Sequence, residues 1–145
     1  MIEVNYICEK VEMPQFNQAA VKQWIEQVAR THQKNVGRLT YIFCDDDYIL
    51  ETNRKYLGHD YFTDVITFDY SNRHRISGMV ISLDTVKTNS EQFAHSYREE
   101  LMRVVIHGVL HLCGINDKGP GEREIMEANE DAALAMLPEN VFEEQ

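Results

Sequence analysis

Residues 98–117, REELMRVVIHGVLHLCGIND, decide how this chain is read. Its apolar residues sustain one helix, and two histidines, His107 and His111, stand four residues apart within it. At about 3.6 residues per turn, positions i and i+4 lie about 40° apart around the axis and one turn apart along it. The two imidazoles can therefore converge on one point. Gly114 follows where a left-handed C-terminus would stop the helix. The chain can then fold back and offer Asp117 to the same point. Two nitrogens and one oxygen make three ligands and leave a position for water, the composition of a catalytic rather than a closed structural metal site.

Upstream, Asp84 can cap a helix that starts at Thr85 and runs toward His95. Residues 65–68 (Val-Ile-Thr-Phe) and 76–83 read as strands, and the short polar turn between them predicts an antiparallel hairpin. Residues 38–44 read as a buried strand. Asp45, Asp46 and Asp47 after it suit an N-cap and a negative first turn better than a metal cluster, and open a short helix over 48–57. Further back, Pro14 suits the first turn of a long amphipathic helix reaching about Gln33. Phe16, Ala20, Trp24 and Val28 form its apolar stripe, widened by Val21 and Ile25. Residues 1–7 alternate apolar with polar, as a half-buried strand does.

Downstream, Pro120 sits where a new helix can begin, and residues 124–137 carry Ile125, Met126, Ala133, Leu134 and Leu137 as an apolar face. Residues 138–145 read as a frayed tail. The order βα-βα-ββ-αα-α, without repeats or a long linker, predicts one α+β domain. Its core is a mixed four-stranded sheet with about five helices packed on it.

The net charge of −10 argues against holding nucleic acid by bulk attraction. The imbalance is local: residues 117–145 hold nine acids and two bases, whereas residues 54–116 hold seven of each. RNA binding by local basic points stays open. Cys8, Cys44 and Cys113 are odd in number and form no CxxC, as expected of a reduced cytosolic protein. No apolar run approaches the ~18 residues of a membrane span, and the first residues lack a signal-peptide pattern.

A His-x3-His pair is weak by itself, because a buried histidine is often satisfied by a backbone carbonyl. Here both histidines lie on an apolar helix where packing calls for neither, and a helix stop with a third donor follows. The segment between them, Gly-Val-Leu, also lets another element approach closely. Zinc peptidases place a glutamate general base directly after the first histidine. That position is Gly108, which disfavours a peptidase. Cys113 lies about 200° around the helix from His111, so it reads as a packing residue.

HGVLHLCGIND resembles the signature of the YbeY endoribonucleases, HGxLHLxGYDH, at His107, Gly108, Leu110, His111, Leu112 and Gly114. A second family block, an Asn-led helix followed by TDVxSF, is met by Asn53, Tyr56, Asp60 and then Thr63-Asp64-Val65-Ile66-Thr67-Phe68. Residues 78–82 resemble the family's GDIxIS strand, and Met126 and Glu130 fall where its last helix has Met and Glu. The resemblance runs in order from Asn53 onward.

It implies a single YbeY-like metallohydrolase domain over residues 1–145, with a zincin-like metal helix. The implied activity is a metal-dependent, single-strand-specific endoribonuclease acting in 16S ribosomal RNA 3′-end processing and ribosome maturation. It further implies one divalent ion, zinc foremost, on His107, His111 and the residue at position 117, with His107 and His111 as catalytic residues. The implied partners are single-stranded or precursor ribosomal RNA, and small-subunit proteins or an assembly GTPase, in the cytoplasm and not at a membrane. Asp64 would fix a ligand histidine by hydrogen bonding; the structural alternative is that it caps the turn into its strand.

Besides Ile115-Asn116 in place of Tyr-Asp, four positions depart from the family. Asp117 replaces a third histidine, an acceptable zinc ligand that makes harder metals more competitive. Leu57 stands where the family has an arginine that would stabilise a phosphodiester transition state. Arg54, Arg73, Arg75 and Arg98 are the candidates to replace it. His59 stands in place of a lysine, and Met79 in place of the aspartate of GDI. The missing arginine keeps a second reading open, a non-catalytic metal-binding ribosome assembly factor.

Overall fold

A computed structural model describes residues 3–34, 37–52, 65–70, 76–115 and 119–142, with the backbone alone for 65–70 and 76–78. Strand β1 (Glu3–Cys8) leads to helix α1 (Gln18–Thr31), strand β2 (Arg38–Cys44) and helix α2 (Asp46–Thr52). Strands β3 (Val65–Tyr70) and β4 (Ile76–Ser82) follow, then helices α3 (Leu83–Gln92), α4 (Tyr97–Leu112) and α5 (Glu122–Ala135). The sheet order is β1-β2-β4-β3. β1, β2 and β4 are parallel, and β3 runs antiparallel to β4 from Val65 opposite Ile81 to Tyr70 opposite Ile76. The α+β class and the expected hairpin are both present.

Alternation along the strands divides the sheet into two faces. Leu39, Tyr41 and Phe43 of β2 and Met79 and Ile81 of β4 join α1, α3, α4 and α5 in the main core. Cys44 and Val80 point the other way, to a smaller cluster with Ile49 of α2. Helix α4 lies deepest, with Leu101, Met102, Val104, Val105, Ile106, Val109 and Leu110 all buried. The Tyr41 hydroxyl donates to the Val105 carbonyl at 3.1 Å and ties this helix to the sheet. Trp24 Nε1 donates to the Ala133 carbonyl at 2.8 Å and ties α1 to α5, 109 residues later.

Three local expectations need correction. Helix α1 starts after Asn17, whose side chain caps the Ala20 N–H at 3.1 Å; Pro14 lies in the preceding connection. The carboxamide cap outweighs proline's tolerance for a first turn. Ser82 rather than Asp84 caps α3, and Asp84 instead accepts from the Asp46 N–H at 3.0 Å. The C-terminal segment is not frayed up to residue 142. Glu139–Phe142 forms a 3₁₀ turn with Val141 buried, and the Val141 carbonyl accepts from Asn17 N–H at 2.5 Å. The short helix after β2 is present as Asp46–Thr52, capped by Asp45 at the Tyr48 N–H as expected. Its expected continuation to residue 57 lies outside the described residues.

Candidate active site

From Leu101 to Leu112 helix α4 is apolar except along one stripe. Arg103, His107 and His111 recur every four residues and share that stripe. Ser96 caps the helix N-terminus at the Glu99 N–H. At its other end Cys113 is the C-cap and Gly114 takes φ +95°. The Gly114 N–H donates to the His111 carbonyl at 3.0 Å, and the Ile115 N–H to the Leu110 carbonyl at 3.1 Å. These are the two bonds of a Schellman motif, so the turn expected at Gly114 reverses the chain directly after His111.

The two imidazoles converge. His107 Nε2 and His111 Nε2 are 3.1 Å apart, with ring centroids at 4.7 Å and planes at 81°. Two nitrogens on one tetrahedral zinc, each at about 2.0–2.1 Å, stand about 3.3 Å apart, so the facing pair fits a shared ion. Among the described residues no group of three His, Cys, Asp or Glu is disposed to hold a metal. The third expected ligand, Asp117, lies outside them. So do Leu57, His59, Asp64, Arg54, Arg73 and Arg75.

Close approach of the sheet sets the height of the pair. A side chain at Gly108 would run into the Met79 sulfur, with Met79 Cγ and Cε at 3.2 Å. Met79 is fully buried, as suits a position facing a helix backbone. With Ile81 and Ser82 matched, the six-letter GDIxIS pattern sets Met79 opposite its isoleucine, which corrects the expected match to the aspartate. The close packing expected of Gly-Val-Leu is therefore present. Arg98 does not reach the site, because its guanidinium lies over the Phe142 ring at 4.9 Å.

Glu130 and Arg103 complete the arrangement, and neither was assigned a role from sequence. Glu130 Oε2 is 2.6 Å from His107 Nδ1, and Oε1 accepts from Arg103 Nη1 at 3.0 Å. Arg103 Nη2 donates to Asp131 at 2.9 Å. Burial pulls the guanidinium's pKa down, but hydrogen bonds to Asp131 and Glu130 and the field of both carboxylates outweigh it and leave it raised. The four-residue spacing of Arg103, His107 and His111 was the available signal. The Cys113 thiol is pushed up by burial, with Lys34 partly offsetting. It stays protonated, as a packing residue should.

A cleft of about 820 Å³ between α3, α4 and α5 opens onto His107; Phe93, His95, Arg123 and Glu127 form part of its wall. Phe93 is about half exposed there. Solvent thus reaches His107 on a helix whose apolar faces are buried.

Comparison with known proteins shows the family of the chain. A family model described as Endoribonuclease YbeY matches residues 4–138. An endoribonuclease YbeY of Parabacteroides distasonis is 59% identical over 137 residues, covering 94% of this chain and 96% of its own. One from Bacteroides fragilis is 60% identical over 134 residues, covering 92% and 96%. A Thermotoga maritima protein solved in solution superimposes with a TM-score of 0.62 at 25% identity, covering 94% of this chain and 89% of its own.

Proposed function

The chain belongs to the YbeY endoribonuclease family, and on that footing we propose a metal-dependent hydrolase that cuts single-stranded RNA within the strand. The carrying observation is the pair of Nε2 atoms facing each other at 3.1 Å on a helix whose apolar faces are buried. We assign His107, His111 and Asp117 as ligands, with α4 in the role of a zincin-type metal helix. Bound there, one divalent ion, zinc by the character of its donors, would polarise a phosphate oxygen and acidify a water.

The chain's own groups do the rest. The Gly114 turn ends α4 three residues after His111, and Asp117 follows Gly114 by three residues in sequence. The cleft admits a flexible strand while the apolar faces of α4 keep water from the far side. Arg103 is committed at both terminal nitrogens to Glu130 and Asp131, so it does not replace the arginine missing at Leu57. Arg123 lines the cleft and is held by an exposed pair with Glu127 at 3.2 Å; it is the described guanidinium that can turn toward a phosphodiester.

The resemblance extends the reading to 16S ribosomal RNA 3′-end processing in the cytoplasm. Small-subunit proteins or an assembly GTPase would deliver the substrate. Delivery by a partner suits a chain of net charge −10, which gains little from bulk attraction to RNA.

The test is cleavage of a single-stranded RNA with and without chelator, alongside elemental analysis. His111→Ala should lose both metal and cleavage, and Asp117→Ala should lose metal. A metal-free His111→Ala protein that still cuts RNA overturns the proposal.

A further inference from the structure

We propose that Glu130 and Arg103 are positioning residues that preset one ring tautomer of His107, the tautomer whose Nε2 can ligate; this rests on the metal-dependent reading above. The contact between Glu130 Oε2 and His107 Nδ1, at 2.6 Å, is just shorter than the ~2.7–2.9 Å of charge-assisted N–H···O hydrogen bonds. An ionised carboxylate has no hydrogen to give, so Nδ1 donates. In neutral imidazole the other nitrogen then keeps its lone pair. That nitrogen is Nε2, the atom aimed at His111 Nε2.

Arg103 acts one step further back. Its Nη1 engages Glu130 Oε1 at 3.0 Å, which leaves Oε2 as the oxygen for His107. Its Nη2 is held by Asp131, whose side chain is 68% exposed, whereas that of Glu130 is only 8% exposed. The series therefore runs from exposed Asp131 through Arg103 to the buried Glu130, and from there to His107 at the cleft wall. A planar guanidinium fixed at two nitrogens holds a carboxylate in one orientation, which a lysine ammonium on a flexible stem does not. Arg103 and His107 lie one turn apart on α4, and Glu130 comes from α5, so the docking of α5 aims the ring.

A plainer role is available: the Arg103–Glu130 pair could serve only to staple α5 to α4. The two roles separate by experiment. A staple affects stability, whereas a positioning residue also changes the tautomer and the affinity for metal.

The full chain is compared as wild type, Glu130→Gln, Arg103→Lys and the double variant. Glutamine keeps the shape of glutamate and can still hydrogen-bond, so folding is preserved and is checked by circular dichroism and thermal melting. The His107 tautomer is read from long-range ¹⁵N–¹H spectra of the imidazoles, at a pH well above the usual histidine pKa of about 6.5. Zinc affinity is read by competition with a chromophoric chelator. We expect one Nδ1–H tautomer in the wild type and a mixture in Glu130→Gln, with zinc affinity reduced about 10–100-fold. Arg103→Lys should fall between the two, and should add nothing in the Glu130→Gln background if it acts through Glu130.

An unchanged tautomer and unchanged zinc affinity in Glu130→Gln overturn the inference while leaving the metal site intact. A further loss from Arg103→Lys in that background overturns the route through Glu130. A wild type that takes up no zinc overturns this inference and the metal-dependent reading together.

Discussion

Replacing Gly108 with alanine sets two known effects against each other at one methyl group. In a helix interior, alanine is favoured over glycine by about 1 kcal/mol. At position 108 the added carbon meets the Met79 sulfur and stands 3.2 Å from both flanking carbons of that side chain. Met79 has no exposed surface into which to retreat, so the clash belongs to the costly part of the ~1–3 kcal/mol range for overpacking. The net expectation is a loss of about 1–2 kcal/mol, or a fall of several degrees in melting temperature.

A double-mutant cycle tests the cause. Met79→Ala alone should cost about 2–5 kcal/mol, as truncation of a buried methionine does. With the sulfur gone, Gly108→Ala should become stabilising by about 1 kcal/mol, its intrinsic helix preference. The coupling is therefore about 2–3 kcal/mol, well above the few tenths expected of independent sites. Urea denaturation of the four proteins gives the cycle. Gly108→Ala more stable than wild type, or a cycle without coupling, refutes the account of how the sheet meets the histidine helix. Gly108→Ala alone should also weaken zinc uptake, because α4 must move away from β4 to relieve the contact with Met79, and Met79→Ala should restore it.

Two further outcomes follow from the backbone and the thiols. Ala94 takes φ +57° at the end of α3, where the His95 N–H closes onto the Ser90 carbonyl at 2.9 Å. Relief of the left-handed strain should let Ala94→Gly raise stability by about 0.5–1 kcal/mol, measured by the same denaturation; a loss would contradict it. Burial first, and then the carboxylates of Asp45, Asp46, Asp84 and Glu9, push the Cys44 thiol from 9.0 up to about 12. The folded state then holds that proton more tightly than the unfolded chain. Its contribution is complete below about pH 9 and is lost as pH rises toward about 12. Cys44→Ala should show a shallower fall in stability across that window, and an identical slope would refute the assignment.

Sequence periodicity located the elements because their apolar faces are nearly continuous. The stripe of Ala20, Trp24 and Val28 is buried, and the alternation in β1 marks a strand whose Val4 and Tyr6 are partly buried against the core. Boundaries were less legible where two signals competed within a few residues, as with Pro14 against Asn17, or Asp84 against Ser82. Each was decided by which side chain reached a free N–H, which spacing does not encode. The 3₁₀ turn at Glu139–Phe142 was missed for a different reason. Four residues have no period to detect, and the turn is held by a contact with Asn17, far away in sequence.

The site divides in the same way. His107 and His111 are neighbours on one helix, so their convergence follows from helix geometry. Glu130 reaches His107 from another helix 23 residues away, and no spacing rule connects the two. The apolar partners of α4 were anticipated in kind, but Met79 was read only as a departure from a motif. Its role became clear when the strand was placed against Gly108.

The bond from Trp24 to the Ala133 carbonyl also bears on the order of synthesis. A chain made from its N-terminus cannot form that link until α5 has emerged, and α4 with both histidines is complete well before then. Contacts of such long sequence separation form late, because a large loop must close first. A chain made only through α4 thus holds both histidines and lacks the helix proposed to aim them. Assembly of α5 onto the rest of the core would then be the step that arms the enzyme.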